Sequence, residues 1–410
     1  MGPGAPPGTT DTSAQRPAPS TRADWLRALA FCARVYLAVR IGLFLLGLLA
    51  VALLPSRGAV EVPGYRFQNP SVGWHVLFTA WERWDALWYL RIAHSGYSGT
   101  DGSAAFFPLY PMLTRGVAQV VGQQWLLAAY LVSNVSLLVA LVLFYRLSAT
   151  EFSETVARRV VVYLCVFPTG LFLFAPYTES LFLALTLGCL YSARRQLWPL
   201  AGALGIMASL CRSAGLLLAL PLAVEAVLQW RKDPRPTGAR SLALVGRLAA
   251  AGATGLGTAG YLLYWSYRGS WNRPLSLQHS NWHKTSAWPW TTLWRGLEAG
   301  ARGLGTFAGG YATVDALITL AVLAAGIWVT LRVRATYTVY FWVCVAFPML
   351  YALPGRPLTS MPRYLLTVFP LYWTLARLAE RWKAHDLVVA ASAVGLGVLS
   401  VLFCTWYPIY

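Results

Sequence analysis

Apolar runs of about 18 or more residues recur along the whole chain, and a helix of that length spans the hydrocarbon of a bilayer. A chain built this way folds as a stack of membrane helices, not as a soluble domain around one core. Composition agrees: 57% of residues are hydrophobic and only 12% charged, against about a quarter charged in soluble domains. The aromatic share of 14%, with 19 Trp, suits belts at the two membrane surfaces. The apolar runs predict about eleven spans, near 32–54, 124–146, 159–176, 179–193, 198–212, 213–230, 243–267, 312–331, 336–353, 363–379 and 386–405. Residues 1–23, rich in Pro, Gly, Ser and Thr, read as a disordered cytoplasmic tail before a single transmembrane domain over 24–410. The first apolar run starts late and is long, so a cleavable signal peptide is not expected.

The net charge is +18, from 33 Lys+Arg against 15 Asp+Glu. These charges cluster in short loops between apolar runs. That is the pattern of positive-inside topology and anionic lipid headgroups, and no nucleic-acid partner is expected. With the N-terminus inside, the inner loops collect Arg158/Arg159, Arg194/Arg195, Arg231/Lys232/Arg235/Arg240, Arg332/Arg334 and Arg377/Arg381/Lys383. Two long polar and aromatic segments, 55–122 and 268–308, then face outside, as does the turn "PGRPLTSMPRY". Arg83, Arg91, Arg212, Lys284, Arg356 and Arg363 break the rule by lying on the outer side. Binding an anion is the reason they suggest. Cys32, Cys165, Cys189, Cys211, Cys344 and Cys404 lie in or beside apolar runs with no C-x-x-C among them, and read as packing residues.

The stretch "WERWDALWYLRIAHSGY" (81–97) carries acids where a membrane protein has little use for them. Glu82 and Asp85 are three apart, so a helix places both on one face, with Trp81, Trp84, Trp88 and Tyr89 apolar. An amphipathic helix resting in the interface accounts for the aromatics. It does not account for "FFPLYP" (106–111), whose prolines fold the segment back and suit a loop that positions something. Glu179 in "APYTESLF" either caps the next helix or forms a secondary acidic site at the edge of hydrocarbon. Arg212 in "CRSAG" and Arg363 in "SMPRYLLTVFPLYW" either snorkel to headgroups or share an anion site with Asp85. In "HSNWH", His279 and His283 have zinc-like spacing, but the Glu of H-E-x-x-H and a third ligand are missing, so no metal is expected. Gln278, Trp282, His283 and Lys284 there suit either a sugar or an interfacial belt. "GLGTAG" (255–260) matches a dinucleotide fingerprint but lies inside an apolar run. Gly252, Gly255, Gly257 and Gly260 are instead expected to let helices approach.

The run "RWDALWYLRIAHSGYSGTDGSAAFFPLYP" resembles the signature of the GPI mannosyltransferase 2 (PIG-V type) family and its prokaryotic relatives, glycosyltransferases of the GT-C class. The matching residues are Trp84, Asp85, Ala86, Ile92, Ala93, Gly96, Tyr97, Asp101 and Ala105 to Pro108. "FPTGLFLFAPYTESLF", "CRSAG" and "PRYLLTVFPLYW" follow in the family's order, so the resemblance runs from about 81 to 375. It implies an all-α GT-C fold, a dolichyl- or polyprenyl-phosphate mannose donor, and a catalytic acid in the first outer loop, which maps to Asp85. The family's R-S-N-G reads Arg212-Ser213-Ala214-Gly215 here, which removes any role of the Asn. Arginine far outnumbers the three lysines, a bias that fits a GC-rich bacterial gene and a plasma-membrane enzyme acting on its outer face.

The expected reaction moves mannose from the lipid phosphate to a lipid-linked or cell-envelope acceptor. Asp85 serves as general base, and Arg212, Arg363 and Lys284 take the leaving phosphate. Trp84, Trp88, Tyr97, Gln278, Trp282 and His283 are the substrate-binding candidates, and no metal cofactor is expected. Direct displacement inverts the anomeric carbon; retention would need a second carboxylate, for which Glu82 or Asp101 stands nearby in sequence. The alternative class, a transporter or lipid flippase, predicts helices broken by Gly or Pro and ionisable groups near mid-membrane.

Overall fold

The computed structural model describes residues 21–66, 72–281, 283–306 and 310–409. Of the expected tail, 1–20 fall outside these residues, and the first helix, Arg22–Leu53, begins earlier than the apolar run alone suggested. Thr21 starts it with a capping box, its side chain accepting from the Asp24 amide while the Asp24 carboxylate takes the Thr21 amide. Leu37, Ile41 and Leu45 stand exposed one turn apart on this helix. That apolar stripe fits lipid, because in water it would be an unpaid exposure of hydrocarbon.

Among the described residues, five helices are long and apolar enough to cross a membrane by themselves: Arg22–Leu53, Trp125–Glu151, Ser213–Arg231, Gly310–Arg332 and His385–Cys404. A sixth crossing is the pair Thr237–Ala253 and Gly255–Tyr267, bent by 41°. At the bend the Thr254 hydroxyl donates back to the Ala251 carbonyl at 2.9 Å, a bond that loosens a helix. The other expected spans are shorter helices: Glu154–Val166, Glu179–Arg194, Trp198–Cys211, Ala335–Ala346 and Pro370–Arg381. The span expected near 159–176 is broken. Pro168 and Pro176 flank the single turn Leu171–Phe174, since proline supplies no amide to continue a helix.

The Trp125–Glu151 and Glu179–Arg194 helices pack together at the centre. Around them Phe144, Tyr163, Phe172, Tyr177, Tyr337, Tyr340, Tyr372 and Trp373 are fully buried. At the expected inner end, Glu225 is buried and gathers Arg334 (2.8 and 3.0 Å), Thr336 (2.6 Å) and Gln229 (2.9 Å), with Arg194 at 3.5 Å. Arg194 and the Tyr337 hydroxyl both reach Glu151 at 2.8 Å. Two of the inner-loop arginines thus close the helix ends as well as setting topology.

The first of the two long segments expected outside carries the helices Asp85–Ser95 and Leu109–Val120; the second carries Arg273–Ser280 and Pro289–Gly303. An antiparallel ladder pairs Thr285 with Ala352 and Ser286 with Tyr351, which ties the second segment to the turn before Arg363. Tyr97 and Tyr261 both donate to the Phe106 carbonyl, at 2.8 and 2.9 Å, which ties the first segment to the Gly255–Tyr267 helix.

The glycines of the spurious fingerprint divide. A Cβ on Gly257 would lie 2.2 Å from Ser209 Oγ and 2.4 Å from the Ile206 carbonyl, so Gly257 does allow the expected close approach. A Cβ on Gly252 or Gly260 meets nothing within 4 Å, which corrects that expectation for both. Gly257→Ala is therefore expected to destabilise the protein by about 1–3 kcal/mol, the range for overpacking. Gly260→Ala should be neutral or gain about 0.5–1 kcal/mol from helix propensity. Thermal unfolding of both variants in detergent checks the contrast.

Candidate active site

The helix carrying Asp85 starts on that residue. Trp84, just before it, holds φ at 55°, which turns the chain sharply and leaves Glu82 outside the helix. Glu82 and Asp85 therefore do not share a helix face as expected. Glu82 is buried and accepts from the Tyr65 hydroxyl, while Asp85 sits at the helix N-terminus, where the dipole favours a negative charge.

Asp85 Oδ2 accepts from Arg363 Nη1 at 2.6 Å. Arg363 Nε donates to Glu179 Oε1 at 2.7 Å, and Arg212 Nη1 reaches the same oxygen at 2.7 Å. Four charges from four separate segments thus form one chain, Asp85–Arg363–Glu179–Arg212. Their accessibility is graded: the side chains are 27%, 10%, 0% and 18% exposed in that order. Asp85 is the carboxylate a solvent-borne group can reach, whereas Glu179 is sealed behind both arginines. Lys284 joins through Tyr364, its Nζ 3.3 Å from the phenol oxygen and 5.9 Å from the ring centroid. Arg212 lies over the same Tyr364 ring at 5.9 Å. The three cations exceed the two carboxylates by one positive charge.

The sequence folds locally to hold these groups. Arg363 lies on the short helix Met361–Leu365, entered through Ser360 at φ 63°. Its guanidinium is sandwiched by the rings of Phe172 and Tyr177, at 4.9 and 4.8 Å. The Thr169 hydroxyl donates to the Pro362 carbonyl at 2.9 Å, so "FPTG" and "MPRY" are one unit in space. Glu179 opens its helix after the strap 175–178. Ser133 grips that strap at the Tyr177 carbonyl (3.1 Å), Ser180 donates to the Leu173 carbonyl (2.5 Å), and Arg40 and Asn134 donate to the Phe174 carbonyl at 2.5 and 3.4 Å. Arg212 follows the last turn of Trp198–Cys211, with Gly215 folded against that helix so closely that a Cβ would lie 2.3 Å from backbone atoms of Ala208 and Ser209.

Of the sequence candidates, Asp85, Glu179, Arg212, Arg363 and Lys284 come together. Asp101 does not join them: it accepts from Arg91 and from the Ser103 amide (2.8 Å), holding its own loop. Trp84 packs edge-on to Trp406, Trp88 stacks on Phe106, and Tyr97 packs against Tyr261 and Trp265. Gln278 gives its carbonyl to the Lys284 amide (3.1 Å), and His283 is exposed. His283 lies past the end of the helix that carries His279, so the two histidines do not share a helix face. Trp282 lies outside the described residues. The outer-side cations also separate. Arg83 donates to the Thr79 and Glu82 carbonyls (2.6 and 3.0 Å), and Arg356 pairs with buried Asp315 (2.5 Å), away from the site. Tyr89, one turn after Asp85, and Thr178, 3.3 Å from its hydroxyl and 3.1 Å from Arg212, were missed. The i,i+4 spacing from Asp85 was the available signal for Tyr89.

Removing a buried carboxylate that serves two arginines leaves them uncompensated, a loss of about 3–5 kcal/mol. Glu179→Ala is expected to lower thermal stability by that order, and Asp85→Asn, at the accessible end of the chain, by less than half as much. Unfolding of the purified variants in one detergent tests the ranking.

Residues 34–226 match the family described as Mannosyltransferase (PIG-V). The match takes in Asp85, Glu179 and Arg212 but stops before Lys284 and Arg363. GPI mannosyltransferase 2 of Schizosaccharomyces pombe is 32% identical over 144 residues, covering 34% of this chain and 31% of the relative. The Chaetomium globosum protein of that name is 30% identical over 226 residues, covering 44% and 47%. The chain thus aligns with less than half the length of these curated relatives. ArnT from Cupriavidus metallidurans, solved bound to undecaprenyl phosphate, superposes with TM-score 0.51 at 14% identity, over 91% of this chain and 64% of that one. That likeness shows the fold, an all-α polytopic arrangement of GT-C type. Over residues 34–226, which hold the motifs beginning at Trp84-Asp85-Ala86, the chain is therefore similar to the PIG-V mannosyltransferase family and to the GPI mannosyltransferase 2 proteins.

Proposed function

We propose that the chain is a membrane mannosyltransferase that uses a polyprenyl-phosphate mannose donor on the outer face, with Asp85 as general base. The observation that carries this reading is one reachable carboxylate ion-paired to Arg363, which shares Glu179 with Arg212, while Lys284 joins through Tyr364. A lipid-phosphate sugar presents its cleavable C–O bond next to a phosphate at the membrane surface, and that is the charge pattern the site offers. The PIG-V relatives supply the sugar, and the undecaprenyl phosphate bound by ArnT supplies a precedent for the lipid on this fold.

The chemistry follows from the residues. The acceptor oxygen attacks the anomeric carbon as that carbon's bond to the phosphate oxygen breaks. The hydroxyl proton passes to Asp85, and the bonding electrons leave with polyprenyl phosphate. Asp85 Oδ1 makes no hydrogen bond among the described residues, which leaves it open to a hydroxyl. The phosphate's charge falls to Arg212, Lys284 and the outer edge of Arg363, a role that needs no metal. Arg363 is held by Asp85 and Glu179 together, so a phosphate arriving there competes with Asp85 for one N–H and releases the base once donor is bound. One reachable carboxylate acting as base gives inversion. Glu82 and Asp101 are each engaged elsewhere, which favours this over a two-carboxylate retaining scheme.

Incubating purified protein with radiolabelled polyprenyl-phosphate mannose and a membrane lipid extract should yield a labelled mannosyl product. Asp85→Asn should reduce its rate 10²–10⁴-fold, about the worth of a general base, while folding is retained. Normal turnover by the Asn variant would end the assignment of Asp85. Sidedness is checked separately. Thr100 is exposed, and the six native cysteines are all buried. Thr100→Cys should therefore react with an impermeant thiol reagent in intact cells; labelling only after lysis would move the site to the cytoplasmic face.

A further inference from the structure

A cavity of about 530 Å³ opens at the end of the molecule expected to face the cytoplasm, far along the Gly310–Arg332 helix from the catalytic chain. Its lining is Phe152, Trp328, Arg332, Arg377, Leu378, Glu380 and Arg381. The one acid is already satisfied: Glu380 accepts from Arg377 at 2.7 Å and from Arg159 at 3.3 Å. Arg332 and Arg381 enter no ion pair among the described residues. The pocket therefore holds a surplus of fixed positive charge over an apolar floor. Positive-inside topology accounts for arginines near this surface, but it does not require them to line one concave space between the Gly310–Arg332 and Pro370–Arg381 helices.

The neighbours of the unpaired arginines identify the ligand. Leu331 is 73% exposed and Trp382 is 66% exposed, each directly beside one of them in the chain. Apolar side chains left open at a helix end face acyl chains, not water, so the cavity borders lipid on that side. A ligand that fits has a phosphodiester in the cavity and a hydrocarbon tail running past Leu331 and Trp382. Basic pockets between membrane helices on the cytoplasmic side take such headgroups.

We propose that this cavity is a binding site for an anionic glycerophospholipid of the inner leaflet, held through its phosphate by Arg332 and Arg381, with Arg377 braced behind by Glu380. The site is separate from the Asp85 centre, and the proposal stands whether or not the transferase reading does. Its bound lipid would anchor the inner ends of two helices, the first of which carries Asp315 and packs against the short Met361–Leu365 helix that carries Arg363.

Saturable binding of radiolabelled phosphatidylglycerol to the purified full chain in neutral detergent tests this, with phosphatidylcholine and inorganic phosphate as competitors. Phosphatidylglycerol should bind near one per chain and resist both competitors. Each arginine near the surface contributes about fivefold, so the double variant Arg332→Gln, Arg381→Gln should bind about twenty- to thirtyfold more weakly. Neither residue has an ion-pair partner to orphan, so the variant's thermal midpoint should match wild type in lipid-free detergent. The control Arg231→Gln, Lys232→Gln removes equal charge from a loop outside the cavity and should retain binding. An equal loss in the control would mean a general surface potential and overturn the site. So would undiminished binding in the cavity variant, or equal binding of phosphatidylcholine. Displacement by millimolar inorganic phosphate would overturn the lipid assignment in favour of a soluble phosphate.

Discussion

A single buried carboxylate oxygen organises the end of this molecule that carries Asp85. Glu179 Oε1 accepts a hydrogen bond from Arg363 and forms an ion pair with Arg212, at 2.7 Å each. A buried acid of that kind is tolerable only if paired, and a buried arginine likewise. The three groups therefore fix one another, and Asp85 is fixed in turn because Arg363 has one more N–H to give. Glu179 is not the reachable acid, yet without it the two guanidiniums repel and the cluster has no defined geometry. The geometry around Asp85 thus depends on an acid that is itself sealed from solvent.

That arrangement requires a helix to break inside the membrane. The strap between Leu171–Phe174 and Glu179–Arg194 exposes backbone carbonyls where no water reaches, and each needs a donor. The chain supplies them from side chains: Arg40 and Asn134 to Phe174, Ser180 to Leu173, Ser133 to Tyr177. These polar residues look misplaced in apolar helices until the break they serve is seen. The Tyr110 hydroxyl, 2.7 Å from Ser133 Oγ, carries the same support to the first outer segment.

Much of this was legible in the sequence, for stated physical reasons. Membrane spans are written in hydropathy because lipid tolerates nothing else. The cations expected outside were visible because topology forbids them without cause, and three of them cluster: Arg363 joins Asp85 to Glu179, Arg212 shares Glu179, and Lys284 meets Arg212 at Tyr364. The same reasoning failed for Arg356 because its partner, Asp315, lies inside an apolar run and gave no local signal. The Glu82–Asp85 face failed because periodicity assumes a continuous helix, and Trp84 at φ 55° interrupts it. Breaks inside spans, such as that at Thr254, escape hydropathy altogether, since a hydroxyl folded onto a carbonyl hardly changes the average.

The transporter alternative rests on broken helices and on ionisable groups within the membrane, and both occur here. Their bonding separates the two readings. Arg40 sits within the first apolar run with its guanidinium 4.8 to 5.3 Å from the rings of Phe44, Tyr130 and Phe174, and with bonds to Asn134 and the Phe174 carbonyl. It is a fixed cap on a short helix, enclosed by aromatic faces. Alternating access would need the first helix to move against the strap, and that motion breaks the Arg40 bonds and exposes the Phe174 carbonyl to hydrocarbon. The helix breaks therefore read as anchors for Glu179. A rigid anchor suits the proposed transferase site, which would have to hold four charges in register while a lipid phosphate comes and goes.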